Sequence, residues 1–153
     1  MKKLFFLIIG LLLVSYAFSG NVANQNVSLS VEKISKLSLS GRPTPFTVVE
    51  PSSLNPIRSK VDSSTTMNIT TNVDGQKITA QLNNGLPDHC FIYCKVGIDG
   101  KYHRLSMNPT ILKENINRGI KLNLPVAFKF EAELGAEVGP EQSREIHFTL
   151  ISM

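Results

Sequence analysis

From Ile120 to Leu134 every even-numbered residue is apolar: Ile120, Leu122, Leu124, Val126, Phe128, Phe130, Ala132 and Leu134. Lys121, Asn123, Lys129, Glu131 and Glu133 hold most of the odd positions. A β-strand turns successive side chains to opposite faces, so this pattern buries one face and wets the other. A helix would scatter the same residues around its axis. The stretch therefore dictates a sheet, and the rest of the chain must supply strands that cover its apolar face. Fifteen residues at ~3.3 Å each span roughly 50 Å, longer than ordinary strands. With Pro125 in the middle, the stretch predicts two strands, or one that bends from one sheet to another.

Further strands follow from the same period. Val27, Leu29 and Val31 alternate with Ser28, Ser30 and Glu32 and predict a first strand; after a slip near Lys33-Ile34, Leu37 and Leu39 continue the pattern. Pro43, Pro45, Pro51 and Pro56 make residues 41–56 loop or edge, because proline donates no ladder hydrogen bond. Within it, Phe46 to Glu50 predicts a short edge strand, and residues 51–64 read as an exposed loop. Met67, Ile69 and Thr71, then Ile78, Ala80 and Leu82, flank Asn72-Val73-Asp74-Gly75. Asp-Gly favours the positive φ angles of a tight turn, so residues 65–82 predict a β-hairpin. His89 to Val96 is the next strand, with Cys90, Ile92, Cys94 and Val96 on one face. A turn at Gly97–Gly100 leads to a short strand over Lys101–Met107. Asn108-Pro109 reads as a helix N-cap with proline behind it, placing Ile111, Leu112 and Ile116 on one or two helical turns ended by Gly119. Residues 135–142 form a loop, and Ile146, Phe148 and Leu150 mark a last strand.

Seven to nine one-sided strands with no βαβ pattern define an all-β protein. The expected fold is an immunoglobulin-like antiparallel β-sandwich, with a closed barrel or jelly roll as the alternative.

Lys2 and Lys3, the apolar run Leu4–Val14 and Ala17-Phe18-Ser19 have the layout of a secretory signal peptide, cut before Gly20. The run is short for a bilayer span of ~20 residues. The expected organisation is a signal peptide over 1–19, a flexible tail over 20–26 and a single domain over 27–153. Removing the signal takes two lysines from the 16 basic residues, so half of the formal +4 charge lies in it. No Lys/Arg cluster points to nucleic acid. No second apolar run is long enough to span a membrane. The protein is expected to be secreted, to the periplasm, cell surface or extracellular space.

Export exposes Cys90 and Cys94 to oxidation. On a regular strand they share a face with Cα atoms about 13 Å apart, whereas a disulfide needs under ~7 Å. Buried free thiols, an internal disulfide across a bulge, and cross-links between subunits all remain open. Asp88, His89, Cys90, Cys94, His103 and Met107 are the chain's one cluster of ligand types. Cupredoxins hold copper with such residues, but in a compact loop near the C-terminus. Here His89 and Cys90 point to opposite faces, and Cys94 and His103 are far apart. No metal site, cofactor or catalytic residue is assigned, and the motifs of hydrolases and phosphate-binding loops are absent. Asn26-Val27-Ser28 and Asn68-Ile69-Thr70 match the glycosylation sequon, a pattern common by chance in so Asn/Ser/Thr-rich a chain.

The signal peptide, the Ser/Thr-rich alternating strands, the absence of Trp and the closing strand Ile146-His147-Phe148-Thr149-Leu150 together resemble bacterial exported β-sandwich subunits that build fimbriae and other surface fibres. The chain departs from chaperone–usher pilins in its cysteine spacing and in the residues Ile151-Ser152-Met153, which lack an aromatic, so no functional residue is carried over. The resemblance implies a non-catalytic structural or interaction protein whose partners are copies of itself. If it assembles by strand addition, Val27, Leu29 and Val31 are the candidate donor. The alternative is a monomeric binding module that presents loops 41–64 and 135–142 to a glycan or protein.

Overall fold

The computed structural model describes residues 28–41, 45–137 and 139–152. The signal peptide, the tail and Val27 lie outside these. Contacts divide the chain into two units, Met1–Val31 and Glu32–Met153, and every strand belongs to the second. The protein is all-β: eight antiparallel strands and no helix among the described residues. They are β1 (Ser35–Ser40), β2 (Ile57–Thr71), β3 (Gln76–Leu82), β4 (Cys90–Val96), β5 (His103–Arg104), β6 (Thr110–Ile116), β7 (Gly119–Glu133) and β8 (Ile146–Ser152).

Two sheets form a β-sandwich, one ordered β1-β2-β7-β4-β5 and the other β6-β3-β8. Immunoglobulin sandwiches order one sheet A-B-E-D and the other C-F-G. Here β1-β2-β7-β4 follows the A-B-E-D order in chain sequence, and β3-β8 takes the places of C and F. Among the described residues no strand stands in the place of G, beside β8.

The core lies between the sheets. Met67 and Ile69 of β2, Ile78 of β3, Cys94 of β4 and Val126 of β7 are all fully buried. Each large apolar side chain so buried contributes about 1.5–3 kcal/mol. The even-numbered face of β7 packs inward as expected from Leu124 to Ala132. It fails at Ile120 and Leu122, which are 69% and 65% exposed. Met67 pairs with Leu124 but Ile69 with Lys121, so β7 carries one extra residue there. Asn123 takes it up in the left-handed region at φ 54°, and its N–H donates to Asn68 Oδ1 at 2.8 Å. A one-residue bulge exchanges inside for outside in everything beyond it. β7 is thus one strand, paired to β2 across Pro125, rather than two.

Several local expectations are corrected. Ser28–Val31 alternates as a strand would, yet residues 28–31 belong to none. Alternation says which face is apolar, not that a partner exists. Residues 45–50 form no strand either, and the loop expected over 51–64 gives way at Ile57 to β2. The hairpin over 65–82 does not form. β2 pairs with β1 and β7, and β3 with β6 and β8, so residues 72–75 cross between sheets. The turn signal was sound, since Gly75 has φ 67°, but a left-handed glycine serves a crossing as well as a hairpin. Asp74 in that crossing binds Arg118, accepting its backbone N–H and its Nε–H at 2.8 Å each. The expected helix after Asn108-Pro109 is strand β6. Leu112 and Ile116 are both buried, since residues four apart share a face of a strand as they do of a helix.

Candidate functional site

Four strands stand at sheet edges, and three are protected. β5 has two residues. β1 is serine-rich and carries Lys36. β6 loses register twice against β3 and kinks at Asn115. Short length, lysine and bulges each discourage pairing with another chain. β8 itself has none of them, although Lys33, from the segment before β1, donates to Ser152 Oγ at its far end at 2.6 Å. It pairs with β3 without interruption from Gln76↔Ser152 to Leu82↔Ile146, and contains no Pro, Gly or Lys. Alternate N–H and C=O groups along its outer edge face away from β3. Among the described residues they meet no backbone partner.

At the Ile146 end of this strand lies a groove of about 670 Å3. Ile92, Phe128, Phe130 and Ala132 form its floor, from the inner face of the larger sheet, and Ile146 of β8 its wall. Two loops flank it. One is the strap 45–51, the other residues 136–144, where the Arg144 guanidinium donates to Gly85 O at 2.7 Å and fixes the loop's return to β8. The binding loops expected from sequence were 41–64 and 135–142; the groove brings together parts of both, although residues 57–64 are strand.

All four of Phe46–Val49 line the groove, with Phe46 and Val48 half-buried and Thr47 and Val49 exposed. The Phe46 ring lies 5.9 Å from that of Phe130, tilted by 31°. The strap thus touches the floor through alternate side chains, as a strand would, but bonds to no strand backbone among the described residues. This groove was not legible beforehand. The one hint was the alternation at Phe46–Glu50 between prolines, which read as an edge strand.

Cys90 and Cys94 are free thiols on the inner face of β4, separated by Ile92. Burial pushes Cys94 up to about 12, while Cys90 is half-buried, lines the groove, and is raised by the same cause. His103 pairs with Cys94 in the β4–β5 register, Met107 is exposed, and His89 sits at φ 60° ahead of β4. Among the described residues no three His, Cys, Asp or Glu side chains are placed to share an ion. Leu29 and Val31, two of the three candidate donor residues, are exposed.

The outer face of the larger sheet is a different surface. Arg104 stacks 3.9 Å from the Phe91 centroid, and Lys129 lies 4.4 Å from that of Tyr93 and 2.7 Å from Glu131. The bond to Glu131 raises the Lys129 pKa. The cations and rings satisfy one another, which makes this a solvated face rather than an open platform.

Among the described residues no helix is long and apolar enough to cross a membrane. No protein-family model matches the chain, and no curated protein or solved structure shows significant similarity to it. Fold and site together define an immunoglobulin-like β-sandwich in which no strand pairs with the outer edge of β8 among the described residues.

Proposed function

We propose that the protein is a secreted, non-catalytic structural subunit whose copies join by strand addition, in the manner of bacterial surface-fibre subunits. The observation that carries this reading is the unprotected edge of β8 beside an apolar groove. An extended segment laid there would supply a strand beside β8, where none stands among the described residues.

The energetics say what the segment must be. Ordering five backbone residues costs about 5–10 kcal/mol at 1–2 each. Four ladder bonds return roughly 2–6 kcal/mol net. The ladder alone does not hold the strand. Three buried Val or Leu side chains add about 5–9 kcal/mol, so burial of side chains rather than the ladder has to carry the joint. Val27, Leu29 and Val31, at alternate positions in a segment that shows no strand pairing of its own over 28–31, meet that requirement.

Deleting residues 20–32 tests the reading. Assemblies should disappear while the remaining chain keeps its cooperative melt. A deletion that unfolds the monomer would instead mean that the segment completes its own domain.

A second reading is a monomeric binding module that takes an extended segment of another protein. The two loops beside the groove favour it. A protein that stays monomeric at high concentration, and loses its ligand when either loop is shortened, fits that case.

A further inference from the structure

We infer that the strap 45–51 is a stand-in for the added strand. An extended segment with large apolar side chains two residues apart displaces Phe46 and Val48, and Leu29 and Val31 of a second copy are that segment. This rests on the strand-addition reading above.

The strap shows what the groove accepts. It lines the groove and covers part of the floor, with Phe46 and Val48, at positions i and i+2, as its half-buried apolar residues and Val49 73% exposed. It does so without ladder bonds, and its sequence says why. Pro45 and Pro51 have no N–H to give, and each restricts the residue before it. As it stands the strap meets the groove by side-chain contact, with no backbone bond to β8 among the described residues.

Ser28-Leu29-Ser30-Val31 has the same apolar spacing and no proline. It can place two apolar side chains where Phe46 and Val48 now lie and also bond to β8. Exchange therefore keeps the apolar burial and adds a ladder. The strap shields the Phe128 and Phe130 floor in an unjoined subunit and yields to the better-bonded strand. Because the groove accepts the donor only when the strap is out, apparent affinity is lowered by the fraction of time it is open.

The test uses the whole exported protein, diluted until monomeric, and a labelled peptide covering residues 25–34. Binding is read by anisotropy, and groove exposure by alkylation of Cys90, with fully buried Cys94 as internal reference in mass-spectrometric mapping. Phe46→Ala should tighten peptide binding by up to about tenfold, the limit if the strap is closed some nine-tenths of the time. It should also speed Cys90 alkylation, which saturating peptide then suppresses. A peptide carrying Leu29→Asp and Val31→Asp should not bind. Val48→Thr, a smaller change, should move both readouts the same way and carries the comparison if Phe46→Ala does not fold. Equal peptide affinity for wild type and strap variants would overturn the stand-in role while leaving strand addition intact. Faster Cys90 alkylation with no peptide binding to any variant would overturn both, and would leave the strap as a plain cover.

Discussion

Phe46 and Phe130 meet at 5.9 Å between ring centroids, and that contact joins two parts of the chain with opposite standing. Phe130 belongs to a ladder bonded on both sides, to β2 and β4. Phe46 hangs from a strap with no ladder bond among the described residues. Removing either ring vacates the same space, yet the consequences differ. Phe130→Ala should cost about 2–4 kcal/mol, near the range for core aromatics, because the floor cannot close. Phe46→Ala should cost no more than about 1–2 kcal/mol, because the strap can shift or leave. Urea unfolding of the two variants measures the difference.

The β8 edge can be protected by design. His147 and Thr149 face solvent on this strand. Replacing both with Lys places charge along the edge without entering the core. Monomer stability should change by no more than about 0.5 kcal/mol per site, as for ordinary surface changes. Assembly should fall sharply, because lysine on an edge opposes pairing. Chemical denaturation and sedimentation read the two effects separately.

Asp74 links the crossing after β2 to the start of β7 through Arg118. The Arg118 hydrogen bonds hold its carboxyl below the ordinary 3.8. A depressed acid stabilises the fold above its unfolded pKa and loses that contribution as pH falls through the folded value. Wild type should therefore melt above Asp74→Asn at neutral pH. The gap should narrow once the pH drops below about 4, the range in which an unfolded aspartate titrates. Thermal melts of both proteins from neutral pH to pH 2 give the comparison.

The cysteines should separate by reactivity. Cys94 is fully buried, and its thiol, pushed up to about 12, should resist alkylation until the protein unfolds. Cys90, half-buried in the groove, should react in the native state. Any disulfide-linked dimer formed on oxidation should vanish with Cys90→Ser. Non-reducing electrophoresis and peptide mapping decide this.

The bulge at Asn123 should be sensitive to side-chain shape. Asn123→Gly should be nearly neutral, since glycine accepts positive φ freely. Asn123→Val should destabilise by about 1–2 kcal/mol, the cost of a left-handed β-branched residue. Denaturant midpoints of the two variants check the sign and size.

That same bulge explains how far the sequence could be read. Val126 to Ala132 announced an inward face because the alternation there is unbroken. Ile120 and Leu122 continued the alternation in the sequence, but the extra residue at Asn123 turned them outward, and no local signal separates a bulged asparagine from an ordinary one. Leu112 and Ile116, four apart, fit a helical face and a strand face equally, so their spacing could not decide between the two. The turn at Asp74-Gly75 was legible, but its destination was not, because sheet membership is decided by partners distant in sequence. The groove lay further out of reach. It exists where β8, the floor of β4 and β7 and two loops converge around a position that no described strand fills.

The most direct measurement is amide hydrogen exchange over residues 147–151, in dilute monomer and in concentrated protein. The account expects outer-edge amides of β8 to exchange fast in the monomer and to slow about a hundredfold or more on assembly, with residues 28–31 becoming protected in step. Assemblies that leave β8 exchange unchanged, or a protein that stays monomeric at every concentration, would contradict strand addition at this edge.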